Sequence, residues 1–546
     1  MDFVLTLHSH LPYVLNHGRW PHGSDWLCEA MTDTYLPLVE ALDSLRTQHI
    51  PSPMTIGVTP ILASQLAHPT LAGELEAFFA QRLEACEEAE AVFLESGETE
   101  LVPLACYWRE RYRRLQRIYE RAGGDVVAAL RRHAEAGRIE LLSSAATHGF
   151  LPLLSRDESI ALQLAAGRAE HHRLFGQWPR GCWAPECAYR PGLEEHFAAH
   201  GYHFFFVDAH LAEAGRPLGL YRDTGRPDGW PLTDEDPGVV PARRSPYRAY
   251  EVSPRAGRAP VVAFVRDPQS TRQVWSRHGG FPGDGSYLEF HKIRYPGGLK
   301  LWRVTGPNAD LGLKEPYEPN AARARAFGHA GHLHWLLRSR AESPHDPGES
   351  VIVAPFDTEL FGHWWFEGVD FIADLYRHLA RHDAPRARTA SQHLESEAPS
   401  AGIALAQGSW GANGDFSMWI NPSTQWTWDR IWPLEQRFWN AARAAFGDPG
   451  LESVWAQAAR ELLLLQSSDW QFIISTGAAA DYASRRFLEH AEDLEFLLGA
   501  LEPGGRGRLD AVARHAEALR RRDDVFPDIL PVLRTVLRSE AAPATR

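Results

Sequence analysis

Short apolar runs alternate with longer amphipathic segments through about the first 390 residues of the chain. The apolar runs predict buried strands at residues 3–7, 54–58, 139–143, 181–184, 203–207, 261–265 and 351–354. The segments between them predict helices at 36–48, 71–94, 107–136, 158–175, 192–200 and 368–381. Alternating strands and helices build parallel sheets with helical crossovers. Seven such strands predict an α/β fold and favour a barrel or near-barrel over an open sheet.

Two later segments have a different pattern. Gly, Pro, Asp and Arg dominate residues 215–254, which predicts either a functional loop or a small inserted subdomain at 209–256, within a catalytic domain at 1–395. A disordered surface loop is the alternative interpretation. After about Ala384 a polar, Pro-containing linker begins and no strand pattern returns. Helical periodicity at 451–466, 479–498 and 508–520 predicts an all-α domain over 405–540.

Composition narrows the class of protein. A chain of 546 residues is too long for one hydrophobic core, and 44% hydrophobic with 23% charged residues is typical of a globular protein. No run approaches the roughly 18–20 apolar residues of a membrane helix. The acidic start, which runs directly into a strand, does not resemble a secretory signal. Five cysteines without a CxxC pair predict reduced thiols and a cytoplasmic location.

Charge and aromatic content indicate the kind of ligand. The net charge of −14 argues against a nucleic-acid or anionic-membrane partner and suits a neutral substrate. The 19 tryptophans exceed what a core needs, so some of them are candidate stacking platforms. We expect a monomer or a weak homo-oligomer.

Two apolar runs each lead into a carboxylate. Glu186 follows a proline in GCWAPECAY, and Asp357 ends a similar run in VIVAPFDTELFGHWW. Acids at the C-terminal ends of barrel strands point into the active-site mouth, and aromatic neighbours suit sugar rings. Two carboxylates that flank one bond are the minimum equipment for glycosidic chemistry. The pair is therefore the main candidate catalytic site.

Histidines also lie at predicted strand ends. His8 and His10 share one face of the first strand, and His148 follows the third strand. The His-x-His spacing also suits a metal, but no further ligand completes such a site, so substrate hydrogen bonding is the favoured role and no metal is expected. Arg266 and Asp208 follow two other strands and could orient a catalytic carboxylate.

The ordered set LHSHLPY, ATHGF, WAPECAY, PFDTELFGHWW and SDWQF resembles the five motif regions of glycoside hydrolase family 57, and is most similar to its α-1,4-glucan branching members. The resemblance implies a (β/α)7 barrel with a small inserted domain and a helical C-terminal domain. It also implies a retaining reaction on an α-glucan such as amylose or glycogen, without metal or cofactor. The cleaved chain would be transferred to a 6-hydroxyl, forming an α-1,6 branch.

The same resemblance assigns roles to residues. Glu186 would be the nucleophile, Asp357 the general acid/base, and Tyr221 the tyrosine of a flexible loop over the site. Tyr247 and Tyr250 are the alternatives for that loop tyrosine. Substrate-binding positions would be His8, His10, Trp26, His148, Arg266, Trp275, Trp410, Trp419, Asp469 and Trp470. Among these, Trp26, Trp275, Trp410 and Trp419 would surround the acceptor groove, and Asp469 with Trp470 would form the fifth motif.

The chemistry itself sets requirements. A retaining reaction needs one ionised and one protonated carboxyl group about 5–5.5 Å apart. The aromatic neighbourhood of Asp357 favours a raised pKa, which suits the acid. From the residues alone, either carboxyl group could attack.

Three rival functions remain open. An α-amylase or a 4-α-glucanotransferase of the same family would share the residues and differ in the acceptor. A metal-dependent polysaccharide deacetylase could use His8 and His10. A non-catalytic glucan-binding protein could use the tryptophans alone.

Overall fold

Eleven strands, in the part of the chain that a computed structural model describes, form one continuous sheet. The described residues are 1–220, 244–252, 260–276, 279–295, 297–306, 308–346, 348–399, 401–502 and 509–541. The strands are β1 Asp2–Ser9, β2 Met54–Val58, β3 Ile139–Ser144, β4 Gly181–Trp183, β5 Phe204–Val207, β6 Arg216–Leu220, β7 Ala249–Val252, β8 Val261–Val265, β9 Val351–Asp357, β10 Arg386–Ala387 and β11 Ala401–Ala404.

Seven parallel strands curl into a barrel. Their order is β9–β1–β2–β3–β4–β5–β8, and every neighbouring pair in that order is parallel. The two end strands meet through a parallel bridge between Arg266 and Val353, where the Asp267 N–H donates to the Val353 carbonyl at 2.8 Å. These are the seven strands predicted from the sequence. The predicted α/β barrel is therefore confirmed.

A smaller sheet extends from one edge of the barrel. Strand β7 pairs antiparallel with β8, β11 pairs parallel with β7, and β6 pairs antiparallel with β11. The prediction that no strand follows Ala384 is therefore wrong at β10 and β11. The Gly- and Pro-rich segment at 215–254 has a strand near each end, β6 and β7. These strands are short, and β11 reads AGIA with a single β-branched residue, so its signal is weak.

Thirteen helices surround the sheet in the described residues before the C-terminal region. They are α1 Ser24–Ala30, α2 Leu36–Thr47, α3 Pro60–Leu66, α4 Pro69–Ser96, α5 Val102–Arg121, α6 Val126–Glu135, α7 Asp157–Phe175, α8 Leu193–Ala199, α9 Ala209–Glu213, α10 Pro268–Trp275, α11 Pro319–Glu342, α12 Gly368–Leu379 and α13 Ala390–Ser396. The single predicted helix at 107–136 is two helices, because Gly123 and Gly124 both adopt positive φ and Asp125 then caps α6 through the Ala128 N–H.

The C-terminal region is helical, as predicted. Its helices are α14 Gln425–Ala445, α15 Glu452–Leu465, α16 Asp469–Thr476, α17 Ala480–Leu501, α18 Leu509–Arg522 and α19 Ile529–Ala541. Fully buried tryptophans, among them Trp428, Trp439 and Trp455, fill its core. Within the described ranges, no helix combines the length and apolar content that spanning a bilayer requires.

Gly362, in the loop after β9, provides a test of this packing. Its φ is +120°, and a Cβ atom there would lie 2.0 Å from the Asp33 carbonyl oxygen. We predict that Gly362→Ala lowers the free energy of unfolding by more than about 2 kcal/mol, seen as a lower thermal-unfolding midpoint. Gly73→Ala on α4, where a Cβ meets open space, should instead stabilise by about 0.5–1 kcal/mol. Equal midpoints for Gly362→Ala and the parent protein would contradict the prediction.

Candidate active site

The C-terminal ends of β1, β3, β4 and β9 bring the predicted acids and histidines together. His8 in β1 lies beside Asp357 in β9, in the register of that parallel pair. Glu186 follows β4, and His148 follows β3, the strand that pairs with β4. The strands of a parallel barrel end at the same rim, so side chains from positions far apart in the chain converge there. The predicted convergence of Glu186, Asp357 and the histidines is observed.

Glu186 has an unusual backbone. Its φ is +61° and that of Cys187 is +47°, in the left-handed region that side-chain-bearing residues rarely adopt. The backbone N–H of Trp410 donates to the backbone carbonyl of Glu186 at 3.0 Å and holds the turn in place. His148 also has a positive φ, of +57°. Strained conformations of this kind persist only where the surrounding structure fixes them, and they cluster at functional sites.

Two donors bind the Glu186 carboxylate. The Trp410 indole N–H donates to Oε2 at 2.9 Å, and the Ser468 hydroxyl donates to Oε1 at 3.2 Å. The His148 Nδ1 lies 3.6 Å from Oε1. Both hydrogen-bonding partners follow β11 in the chain, outside the seven barrel strands. The carboxylate is therefore oriented by segments beyond the barrel.

Three histidine rings stack beside this carboxylate. The His10 and His148 rings lie 4.0 Å apart, and the His8 ring stacks on Trp183 at 4.4 Å. His8 and His148 share a hydrogen bond between their Nε2 atoms at 3.0 Å. Burial and the nearby His10 charge lower the pKa of both His8 and His148, so both rings are neutral.

His10 differs from the other two histidines. Its Nε2–H donates to the Asp469 carboxylate at 2.9 Å, and its Nδ1 bonds the Thr59 hydroxyl at 3.0 Å. Burial lowers the pKa of His10, but the carboxylates of Asp469, Glu186 and Glu359 together outweigh burial and leave that pKa raised. The protonated ring is thus stabilised by an ion pair with Asp469, between the barrel and the helical region.

The acids themselves have perturbed pKa values. Burial raises the pKa of Asp357 well above its ordinary value, and the charges of Glu359 and Glu186 raise it further. Burial raises the pKa of Glu186 to about 7, while the donors Trp410 and Ser468 oppose that rise. Hydrogen bonds thus favour the ionised form of Glu186, whereas burial and like charges favour the protonated form of Asp357. One carboxylate beside one protonated acid is the state that retaining glycosidic chemistry requires.

Arg266 lies between Asp208 and the indole of Trp410. Its guanidinium donates to the Asp208 carboxylate at 3.0 Å and lies 5.1 Å from the centre of the Trp410 ring. Trp410 also packs edge-on against Trp183 at 5.1 Å. Arg266 therefore fixes the indole that donates to Glu186.

The tryptophans predicted for the acceptor groove have different environments. Trp410 lies in the site, while Trp275 is 41% exposed and packs edge-on against the exposed Trp364 at 6.3 Å. Trp26 is half-buried near His22. The prediction that Trp419 faces the groove is wrong. It is fully buried and stacks on Phe150 at 4.4 Å, and Gly411 packs so closely against it that a Cβ atom there would lie 2.7 Å from the ring.

Trp470, predicted to contact substrate, is likewise buried. Its indole N–H donates to the Leu464 carbonyl at 2.8 Å, so the ring belongs to the core of the helical region. Its neighbour Asp469 does reach the site, through His10. The fifth motif thus places one side chain at the acids and the next in the core.

Two members of the site, Glu359 and Ser468, were not predicted from the sequence. The Glu359 carboxylate accepts hydrogen bonds from the Tyr35 hydroxyl and from the backbone N–H of His10. Burial raises the pKa of Glu359 to about 7. Ser468 was not singled out, although it stands beside Asp469 in the fifth motif. Glu359 lies two residues after Asp357, and that spacing is the only sequence signal for it.

The loop tyrosines are now distinguishable. Tyr221 lies outside the described residues. Tyr247 donates to Asp267 at 3.1 Å and lies under the Arg340 guanidinium, while Tyr250 is buried with its hydroxyl against Ser245. Tyr247 and Tyr250 are therefore held by fixed contacts, which argues against either as a mobile cover.

One group of three potential metal ligands lies elsewhere. Among the described residues, Glu461, His490 and Asp523 alone bring such atoms within reach of one ion. The Arg486 guanidinium contacts His490, and that of Arg522 contacts Asp523. These positive charges compete with a cation, so the group is better explained as a buried ion-pair network.

Comparisons with known proteins identify the family of this architecture. The model of glycosyl hydrolase family 57 matches residues 4–406. The model of the 1,4-alpha-glucan branching enzyme C-terminal region matches residues 432–532. Together the two models cover most of the chain.

Individual relatives agree with this result. The 1,4-alpha-glucan branching enzyme of Thermococcus kodakarensis is 37% identical over 519 residues, covering 91% of this chain and 73% of the relative. The crystal structure of that family 57 branching enzyme, in complex with glucose and additives, superposes with a TM-score of 0.85 at 35% identity, covering 97% of this chain and 96% of the other. The α-amylase AmyC of Thermotoga maritima superposes with a TM-score of 0.80 at 28% identity, covering 97% and 98%.

Proposed function

The chain belongs to glycosyl hydrolase family 57, and we propose that it is a 1,4-α-glucan branching enzyme that acts on amylose or glycogen. One observation carries the proposal. The region that matches the branching-enzyme C-terminal model reaches the acids, where Ser468 donates to Glu186 and Asp469 binds His10. A segment that the branching-enzyme C-terminal model matches therefore contributes to the centre of the site.

The proposed reaction has two steps. In the first step the Glu186 carboxylate attacks the anomeric carbon, and Asp357 gives its proton to the departing 4-oxygen, which releases one end of the chain. In the second step the Asp357 carboxylate takes the proton of an acceptor 6-hydroxyl. That oxygen then attacks the anomeric carbon and displaces Glu186. Two inversions retain the α configuration and leave both acids as they began.

The surroundings of the two acids support this assignment of roles. Trp410 and Ser468 donate to the charged form of Glu186 and favour its ionisation. Asp357 has a pKa raised well above its ordinary value and keeps a proton to donate. We assign His10 and His148 to the donor-sugar subsite, which their position beside Glu186 at the same rim supports.

An α-amylase is the second candidate, because AmyC of Thermotoga maritima shares the architecture over the whole chain. Proton NMR of products from amylose separates the two. A branching enzyme creates α-1,6 linkages without a proportional rise in reducing ends, whereas an amylase raises reducing ends alone. Products without α-1,6 signals would overturn the branching proposal. Activity lost to a chelator would favour a deacetylase instead.

We also propose a cytoplasmic location and a monomeric or weakly associating state. All five cysteines are free thiols, and four of them are buried. Reduced cysteines are typical of a cytoplasmic protein. Sedimentation velocity over a range of concentrations would reveal a stable oligomer and contradict the second part of this proposal.

The roles of the acids give the first catalytic prediction. Glu186→Gln should abolish turnover, and Asp357→Asn should lower it by about 100- to 10 000-fold, since it removes the general acid. Substrates with good leaving groups need little protonation, so Asp357→Asn should still be glycosylated by them. Asp415→Asn, an exposed carboxyl group in the Trp410 loop, is the control and should remain active. An active Glu186→Gln protein with an unchanged melting midpoint would refute the assignment.

The pH profile gives a second prediction. The value of kcat/KM should rise as pH passes the Glu186 pKa of about 7 and fall as Asp357 loses its proton. Trp410→Phe removes a donor to the charged form of Glu186, so the acidic limb should move to higher pH by about one unit. Trp364→Phe keeps the Trp410 donor and should not move that limb. An acidic limb that stays in place in Trp410→Phe would contradict the hydrogen-bond role.

Tyr221 is proposed as the cover that favours transfer over hydrolysis. An aromatic ring excludes water from the glycosyl-enzyme, and a hydroxyl can hold the acceptor. Tyr221→Ala should therefore raise the ratio of reducing ends to new α-1,6 linkages, while Tyr250→Phe should leave the ratio unchanged. The same ratio in Tyr221→Ala and the parent enzyme would remove the residue from the mechanism.

A further inference from the structure

Trp178 lies at the opposite end of the barrel from the acids. It stands in the short segment between α7 and β4, just before the N-terminal end of that strand. Glu186 follows the C-terminal end of the same strand. In a parallel barrel these two ends form opposite faces of the molecule. Whatever Trp178 contacts is therefore remote from the chemistry.

The Trp178 indole is held in place by two side chains of α7. Its ring stacks on His172 at 4.0 Å with an interplanar angle of 14°, and the Arg168 guanidinium lies 4.7 Å from its centre. His172 and Arg168 are one turn apart on α7. The side chain is nevertheless 53% exposed. The ring is therefore fixed in orientation, and about half of it remains accessible to a ligand.

A cavity of about 190 Å³ adjoins this ring. Polar side chains line it from four elements, and they include Glu140, His171, Gln177, Arg180 and Gln392. His171 is only 1% exposed, and within the described part of the chain its Nδ1 has no hydrogen-bond partner. Burial lowers the pKa of His171 to about 3, so the ring is neutral. A buried, unpartnered nitrogen is costly unless a ligand or water binds it.

We propose that Trp178 and this cavity form a second binding site for a neutral α-glucan chain, separate from the catalytic site. The substrate class rests on the function proposed above. A glucose ring would pack its apolar face on the exposed part of the indole, and its hydroxyls would bond Glu140, Gln177 and the unpartnered Nδ1 of His171. Pyranose rings combine one apolar face with a rim of hydroxyls, and the site offers that combination.

Charge favours a neutral ligand over an anion. Arg180, the cation that lines the cavity, already pairs with Glu395. The buried carboxyl group of Glu140 accepts from the Ser391 N–H at 2.9 Å and would repel an anion. The chain as a whole carries a net charge of −14. A phosphate or sulfate in the cavity would therefore meet the Glu140 carboxyl group and an Arg180 that is already paired, which leaves Arg168 beside the indole as the nearby cation.

A second site would act through tethering. A polymer held at the far face stays near the acids after each transfer, which raises the effective concentration of its other segments. The benefit exists only for chains long enough to reach both faces. Short maltooligosaccharides should therefore react without using Trp178.

Native gel electrophoresis in the presence of glycogen tests this site. The parent for the experiment is Glu186→Gln, which binds without consuming the polymer. Adding Trp178→Ala should raise the apparent Kd for glycogen by about tenfold, within the range known for stacking on aromatic rings. Trp178→Phe should retain most of the binding. Trp335→Ala, which removes a comparably exposed tryptophan from α11, is the control and should behave as the parent.

Activity separates failure of this site from failure of the proposed function. In the active enzyme, Trp178→Ala should raise KM for amylose and leave kcat/KM for a short maltooligosaccharide unchanged. Equal glycogen affinity in Trp178→Ala and its parent would overturn the second site, as would an equal loss in Trp335→Ala. Glycogen binding that depends on Trp178 without any α-1,6 product would keep the site and overturn the branching function instead.

Discussion

Two carboxyl groups, those of Glu186 and Asp357, lie largely out of water at one barrel rim, and much of the structure follows from this. Burying a charge without a partner is expensive, and two like charges in one site cannot both ionise readily. Asp357 meets the constraint by holding a proton, since burial and the charges of Glu359 and Glu186 raise its pKa. Glu186 meets it with two neutral donors. The difference between these two solutions separates an acid from a nucleophile.

The donors come from distant parts of the chain. Ser468 stands 282 residues beyond Glu186, and Trp410 stands 224 residues beyond it. The ion pair between His10 and Asp469 joins the first strand to the helical region across 459 residues. The barrel alone therefore positions the acids but does not compensate their burial. Docking of the helical region completes the site, so stability and chemistry depend on the same contacts.

The sequence predicts this architecture unevenly, for physical reasons. The seven barrel strands are continuous apolar runs because both of their faces are buried, and such runs are visible without any alignment. Strand β11 is short and poor in β-branched residues, so the same reasoning misses it. Yet β11 leads directly to Gly408, which bridges to Tyr189, and then to Trp410 at Glu186. The strand with the weakest sequence signal thus leads to Trp410, one of the two hydrogen-bond donors to Glu186.

The positions of the tryptophan rings are also hard to predict from the sequence. Trp410, Trp419 and Trp470 all occur in motifs or Gly-rich loops, and local sequence cannot separate a ring that faces substrate from one that fills the core. The direction in which each ring points is decided by tertiary packing, such as the stack of Trp419 on Phe150. Acids are easier to place, because burial of a carboxyl group needs a reason whereas burial of an indole does not.

The charge balance at the rim has a final consequence. His8 and His148 are neutral, and the His10 cation is offset by Asp469. Arg266 is likewise paired, with Asp208. An ionised Glu186 then keeps a negative charge whose hydrogen-bond partners, Trp410 and Ser468, are both neutral. Glycosidic cleavage develops positive charge on the sugar ring, and a fixed, unpaired carboxylate stabilises that charge where it forms. In the described part of the rim, His10 and Arg266 make their ion pairs with Asp469 and Asp208, so Glu186 has no direct ion pair with either of them.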